Sequence, residues 1–377
     1  MTAAALSRLA ALAADPGRSR PAPAPAPLTC ARGGRVATPL PRVLPRVLLR
    51  LLPGLLLCVL GADARADTCS ITPQNFVFPS ISSISGVDVY ASANFKVTCS
   101  WTNFLGGLLL PNATVCLYLG AGTNSSSTVT NPRQIGSGAM RANYNIYTDA
   151  TYAPAKIWGG WSGTSTPTPI TFTLTKTGGV GTLEQNISLF GKLSADATLA
   201  GLAVGPDNLN FISDFGAGSS LMQYFFFATG TGACTLGPTM PIPFRVSASV
   251  INDCNINIGN LVFPNSTLLT SNVRTTSSMA VQCSNSTPYR IALSAGTNGS
   301  GATARRMRNL STTELLSYQI STSLDGASWG DGTGGTTIFS GTGNGGTQTQ
   351  TVYGMVPAQS TPSPGDYKDT VTATVSF

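Results

Sequence analysis

The sequence predicts an all-β chain built as two successive β-sandwiches, and three observations carry that reading. The first is a repeat written around two cysteine pairs. Cys69-Ser-Ile-Thr-Pro-Gln-Asn-Phe-Val-Phe-Pro leads to Cys99, and Cys254-Asn-Ile-Asn-Ile-Gly-Asn-Leu-Val-Phe-Pro leads to Cys283 over a nearly equal span. The second is composition: Gly, Ser, Thr and Asn punctuate almost every window, with Thr and Val crowding the runs between them. Short strands separated by turns have this texture, and long helices do not. The third is how each repeat ends. Phe244, Val246, Ala248 and Val250 share one face of a strand, as do Val371, Ala373, Val375 and Phe377. Strict alternation is the mark of a half-buried strand.

Residues 1–66 are unlike the rest. They hold nine arginines, only Asp15 and Asp63 as acids, and a Pro-Ala run over 21–27 that builds no core. Arg46-Val-Leu-Leu-Arg50 then precedes an apolar run over 51–60 and the small-residue end Ala64-Arg65-Ala66. This pattern predicts a secretory signal peptide behind an atypical N-terminal extension. Cleavage after Ala66 leaves thirteen basic and thirteen acidic residues, so the basic excess belongs to the removed segment. No nucleic-acid partner is expected.

Two domains are expected in the remainder, 67–250 and 251–377. In the first, strands are predicted around Phe95 to Cys99, Val115 to Leu119, Tyr144 to Tyr147, Ile187 to Leu193, Asn208 to Phe215 and Thr239 to Val250. Pro241 and Pro243 suit a strand entry at an edge. In the second, six main strands are read. They are Ile256 to Phe263, Met279 to Cys283, Tyr289 to Leu293, Leu315 to Ile320, Val352 to Val356 and Thr370 to Phe377. No seventh follows. The connection over 251–254 is short enough to couple the domains closely.

Six cysteines remain after residue 66. An even number in an exported chain predicts disulfides. Repeat symmetry pairs Cys69 with Cys99 and Cys254 with Cys283, leaving Cys116 with Cys234. Histidine is absent and no CxxC pair occurs, so neither metal nor cofactor is expected. Without histidine there is no Ser-His-Asp or Cys-His constellation. Asp207 and Asp214 read as turn residues, and the Arg305, Arg306, Arg308 cluster as a solvated sheet edge. An enzyme is not expected.

The second domain resembles the spore coat protein U domain of archaic chaperone–usher pilus subunits. The matching residues are Cys254, Phe263, Cys283, Tyr289, Leu293, Ala295-Gly296, Arg305-Arg-Met-Arg308, Leu316-Ser-Tyr318, Trp329-Gly-Asp-Gly332, Val352-Tyr-Gly354, Pro364-Gly365 and Tyr367-Lys-Asp-Thr370. The first domain matches more loosely, keeping its cysteine block, Leu119-Gly-Ala-Gly122 and Tyr144-Asn-Ile-Tyr-Thr-Asp149. The resemblance implies two immunoglobulin-like sandwiches, the second incomplete and completed by a donor strand. It implies a periplasmic pilus chaperone that lends the strand, and an outer-membrane usher. The next pilus subunit then inserts its N-terminal donor strand. Val371, Ala373, Val375 and Phe377 are expected to border that groove. Only Asp67 and Thr68 would precede Cys69 in the processed chain. A receiver without a donor segment is expected at the fimbrial tip on the cell surface, acting in attachment and biofilm formation.

Three apolar segments of the first domain are candidates for contact with an abiotic or host surface. Trp101, Phe104, Leu108, Leu109 and Leu110 follow the second strand; Trp158 and Trp161 follow the fourth. Leu221, Met222, Tyr224, Phe225, Phe226 and Phe227 follow the sixth. In an alternating sandwich these connections leave from one end, away from the second domain. A contiguous apolar patch on loops is a recognition surface. The opposing reading is that each segment is core, with Leu221 to Ala228 an added strand. Two further functions stay open: a carbohydrate-binding fimbrial adhesin using the tryptophans, and a secreted coat-like structural protein.

Overall fold

A computed structural model describes residues 67–126, 130–164 and 168–377. The expected signal peptide lies outside the described residues. The strands of the first part are β1 (Thr68–Thr72), β2 (Phe76–Val77), β3 (Ile81–Ser82), β4 (Val89–Trp101), β5 (Asn112–Leu119), β6 (Arg133–Ser137), β7 (Met140–Tyr147), β8 (Ile170–Thr175), β9 (Gly181–Leu193), β10 (Leu209–Phe215), β11 (Ser220–Phe227), β12 (Thr239–Pro241) and β13 (Phe244–Ile251). Two short helices interrupt them, α1 (Phe104–Leu109) and α2 (Ala197–Ala200). The second part holds β14 (Cys254–Ile258), β15 (Val273–Cys283), β16 (Pro288–Leu293), β17 (Arg305–Asn309), β18 (Leu315–Ser321), β19 (Phe339–Thr342), β20 (Thr347–Val356), β21 (Tyr367–Lys368) and β22 (Ala373–Ser376).

Each part is a sandwich. In the first, the order β1-β4-β9-β7-β6-β10-β13-β2, with β3 also on β13, faces the order β12-β11-β5-β8. In the second, β14-β15-β20-β18-β17-β21 faces β19-β16-β22. Alternation sets which face is buried. Along β4, Ala93, Phe95, Val97, Cys99 and Trp101 point into the core while the residues between them do not. Along β15, Met279, Val281 and Cys283 do the same. The first and second strands of each repeat pair at their cysteines, so Cys69 is bonded to Cys99 and Cys254 to Cys283; Cys116 is bonded to Cys234.

The two apolar cores are separate, and only Asn252 and Asp253 lie between β13 and β14. Polar contacts fasten one sandwich to the other. Gly205 N donates to Asn285 O at 3.3 Å, Thr287 Oγ1 to Gly205 O at 2.8 Å and Asn285 Nδ2 to Gly201 O at 3.2 Å.

The structure differs from expectation in three ways. β6 and β8 of the first sandwich and β17, β19 and β21 of the second are additional to the strands expected. Leu261 to Phe263 is not a strand, because the partner that makes β2 a strand in the first sandwich has no counterpart beside it. Leu221 to Phe227 is not a loop but β11, with β5 along one side over its full length and β12 on the other. It continues the sixth strand after a break at residues 216–219.

Candidate functional site

One buried constellation occurs twice and sets the two sandwiches in correspondence. Arg133 of β6 and Arg305 of β17 are both fully buried. Arg133 donates to Gly120 O, Leu119 O, Trp158 O and Asn145 Oδ1. Arg305 donates to Leu293 O, Ser294 O, Ala302 O and Trp329 O. The indoles complete the clasp: Trp158 Nε1 donates to Leu117 O at 2.9 Å and Trp329 Nε1 to Ile291 O at 2.8 Å. Arg133 pairs in register with Tyr144 as Arg305 does with Tyr318. Burial lowers the Arg133 guanidinium to about 10 and raises the Tyr144 hydroxyl to about 12. Arg305 is therefore a structural residue and not part of a solvated edge.

With this correspondence, β10 and β11 match β21 and β22. The pairings agree, since β5 holds β8 and β11 as β16 holds β19 and β22. The difference is the next strand. In the first sandwich β12 and β13 run along β11 and β10, and β13 also pairs in parallel with β2 and β3. Phe244, Val246, Ala248 and Val250 are buried there, against Phe76 and Ile81. In the second sandwich no strand lies along the outer edge of β21 and β22 among the described residues. A cleft of about 700 Å³ opens at that place, lined by Leu261, Phe263, Leu269, Met307, Leu316 and Tyr367 among others. Val371, Ala373 and Val375 pack half-buried on the core beside this seam, and Phe377 is 49% exposed.

Beside the seam, Tyr318 Oη donates to Asp369 Oδ2 at 2.6 Å, while Asp369 Oδ1 accepts from Thr297 N and Oγ1 and from Asn298 Nδ2. Burial, joined by this carboxylate, pushes the Tyr318 hydroxyl well up. Burial alone works against the Asp369 carboxylate, but its hydrogen bonds, led by that from Tyr318, hold it below the ordinary range.

The second surface is at the other end of the first sandwich. α1 follows the Trp101 end of β4, about 40 Å along that strand from Val89 at 3.3 Å per residue. Asn103 Oδ1 caps the helix, accepting from Leu105 N at 2.9 Å and Gly106 N at 3.2 Å. Gly107 is buried so closely against the backbone of Gly179 that a side chain there would collide with it. An apolar helix one and a half turns long cannot turn every side chain inward. Phe104, Leu105, Leu108 and Leu109 are 61%, 65%, 50% and 66% exposed, and Leu110 less so. Val180, next to Gly179, adds to the patch.

The remaining candidates divide. Trp101 is buried beneath α1, donating Nε1 to Leu110 O at 2.9 Å and meeting the Phe226 ring edge-on. Met222 is buried in the core and Phe227, on the opposite face of β11, is buried beside Gly232 and Thr114; Leu221, Tyr224, Phe225 and Phe226 are half-buried. Trp158 is the buried indole of the clasp, and Trp161 is half-buried beside Gly120. These four buried residues, Trp101, Trp158, Met222 and Phe227, are core and not a contact surface. Phe227 pairs with Asn112, so the end of β11 does meet the base of α1. The Trp158 segment joins β5 at Leu117 and Leu119, about 17–23 Å further along, so the three segments do not form one site. Leu105 and Val180 belong to the exposed patch but carry no mark in the sequence that separates them from core residues.

Comparison with curated proteins gives no match. Among solved structures, the chain is similar to the CsuC–CsuE chaperone–tip adhesion subunit pre-assembly complex from archaic chaperone–usher Csu pili of Acinetobacter baumannii, with 18% identity over 82% of this chain and 100% of that one and a TM-score of 0.48. It is also similar to the CupB6 tip adhesin of Pseudomonas aeruginosa, with 9% identity over 82% and 93% of the chains and a TM-score of 0.33. A third is AggA, the major subunit of aggregative adherence fimbriae type I of Escherichia coli, with 13% identity over 49% and 95% and a TM-score of 0.23. The family model of the Spore Coat Protein U domain matches residues 56–203 and 241–374, the second segment running from β13 of the first sandwich through the second, and the chain belongs to that family.

Proposed function

We propose that this chain is an adhesive subunit of a chaperone–usher pilus, exported through the periplasm and placed at the fibre tip on the cell surface. One observation carries the reading: the seam that β13 closes in the first sandwich is open in the second. An open seam exposes backbone donors and acceptors together with apolar core, and an added strand satisfies both. Its occupants are first a strand of the periplasmic chaperone and, after passage through the usher, the N-terminal donor strand of the next subunit. Residues 251–377 then serve assembly, and residues 67–250 serve attachment. The exposed patch of α1, far from the open seam, is the surface that meets an abiotic or host substratum and supports biofilm growth. Sugar recognition through Trp158 loses its platform, because that indole is buried in the clasp.

Two variants test the division. Phe377→Asp places a charge at the end of the seam and is expected to weaken chaperone capture without unfolding the first sandwich. The triple change Phe104→Ser, Leu105→Ser, Leu109→Ser is expected to leave chaperone capture and fibre assembly intact and to reduce attachment to a hydrophobic surface several-fold. Each exposed leucine contributes roughly 25 cal/mol per Å² on contact. Full attachment by piliated cells carrying the triple variant would sink the tip assignment. Unchanged chaperone affinity of the Phe377→Asp chain would sink the seam assignment.

A further inference from the structure

We propose that the strand completing the second sandwich carries a carboxylate on its solvent face, opposite Lys368. The inference rests on the donor-strand reading above and specifies the chemistry of the partner. The clasp fixes the position. Arg133 and Arg305 correspond, so Gly136 and Arg308, each three residues further on, correspond as well. Ile212 of β10 pairs with Gly136, and Lys368 of β21 pairs with Arg308. Ile212 and Lys368 are therefore equivalent. On its other side Ile212 faces Ser247 of β13. Side chains of β13 alternate, with Phe244, Val246 and Ala248 buried and Arg245 and Ser247 turned outward. An incoming strand in the same register thus sets the residue in Ser247's place on the solvent face, opposite Lys368.

The cations around that place lack ion-pair partners. In the closed sandwich Gly136 and Ile212 are uncharged, and across the same seam Arg245 grips Asp214 through two hydrogen bonds of 2.7 and 3.0 Å. In the open sandwich two cations, Arg308 and Lys368, face each other directly, an arrangement that repels. Arg306 is exposed on the same face of β17. Among the described residues none of the three forms an ion pair. The neighbouring acids do not pair with them. Asp369 is engaged by Tyr318 and Thr297, and Glu314 by Ser363 N and Tyr367 Oη. Asp366 is exposed and, like Asp369 and Glu314, forms no ion pair with these cations. A carboxylate on the added strand restores across the open seam the kind of pair that Arg245 and Asp214 make across the closed one, with the signs exchanged.

The chain's own β12–β13 sequence supplies the probe. Two synthetic peptides of residues 239–251 are compared, one with Ser247→Glu and one with Ser247→Lys, titrated by fluorescence anisotropy against the protein and against its Lys368→Glu variant. The Glu peptide is expected to bind the unaltered protein about five-fold more tightly than the Lys peptide. The order is expected to reverse on the Lys368→Glu variant, and both preferences to shrink in 0.5 M NaCl, since exposed charges are screened. Equal affinity of the two peptides for the unaltered protein overturns the charge inference and leaves the donor-strand reading standing. Failure of both peptides to bind either protein overturns the two together.

Discussion

Phe76 and Leu261 hold the same place after the opening cysteine of each repeat, yet Phe76 is fully buried and Leu261 only partly so. The same contrast holds between Phe78 and Phe263. Nothing in these side chains explains it. The difference is β13, which covers the first pair and has no counterpart over the second. Between two sandwiches that share the clasp, the opening cysteine staple and the strand order, the decisive difference is the strand formed by β12 and β13. That strand decides whether the domain is finished by its own chain or is built to receive another. In physical terms the closed sandwich spends its seventh strand on its own core. The open one keeps apolar surface and unpaired backbone in reserve for association.

The largest effect that tests this contrast is expected from Val246→Asp. Val246 is fully buried in the closed seam, paired with Ser213 on one side and Phe76 on the other. A carboxylate there is predicted to cost about 4 kcal/mol or more. Val371→Asp, beside the open seam, is predicted to cost under about 2 kcal/mol because its residue keeps access to water. Chemical denaturation combined with hydrogen exchange of each core reads both numbers. Equal losses would erase the distinction between the seams.

The converse experiment closes the open sandwich. A copy of residues 239–251, appended after Phe377 through a Gly/Ser linker, is expected to fill the groove. Burying what remains exposed of Leu261, Phe263 and Tyr367 is worth about 3 kcal/mol at roughly 25 cal/mol per Å². The melting temperature of the second sandwich is then expected to rise by roughly 10 °C, with loss of chaperone capture. No rise with a bound, protected appendage would show that the groove is not a strand site.

Much of this frame is legible in the sequence because it is written in alternation. β4, β13 and β22 announce their buried faces, and the cysteine blocks announce their register. The pairing of Arg133 with Tyr144 and of Arg305 with Tyr318 is not announced there and comes from the fold. What is not legible depends on contacts distant in sequence. Leu221 to Phe227 reads as a loop since the break at 216–219 hides that the sixth strand continues. Trp101, Trp158 and Arg305 carry polar atoms that usually mark a surface, and only the folded chain shows the carbonyl oxygens that receive their hydrogen bonds. α1 has no helical period to find in six residues. Its exposure follows from the close approach of Gly107 to Gly179, which the sequence does not display.

The clasp offers a way to test whether the two sandwiches share one frame. Arg133→Met and Arg305→Met keep bulk but remove the donors, leaving several buried carbonyl oxygens unpaired. Each is expected to cost about 2–3 kcal/mol, in its own core and to a similar extent. Hydrogen exchange assigns the loss to a sandwich. A large effect at one position and none at the other would mean that the correspondence is one of shape without shared energetics.

The smallest expected effect distinguishes the seams by pH. Ser213 occupies in the closed sandwich the place that Asp369 occupies in the open one, as each follows the residue equivalent to Ile212 or Lys368. Ser213 is buried under Val246, where a carboxylate would have no water; Asp369 is only half-buried and keeps its charge through the hydrogen bonds from Tyr318 and Thr297. Those bonds hold the folded pKa of Asp369 below its ordinary value despite the opposing effect of burial. A group with a depressed folded pKa contributes stability that is fully present above its unfolded pKa, about 3.9, and lost as pH falls through the folded value. Asp369→Asn removes that contribution. Its second sandwich is predicted to be about 1–2 kcal/mol less stable at pH 7. The gap should hold down to about pH 5 and close progressively below about pH 4, where the native carboxylate also takes a proton. Urea titrations at several pH values measure the gap directly. A gap that stays constant into the acid range would show that the hydrogen bonds act through geometry alone. A gap that widens on acidification would contradict the sign of the shift. The Ser213→Asn variant supplies the control, for the closed sandwich has no carboxylate at this position and its response should not change with pH.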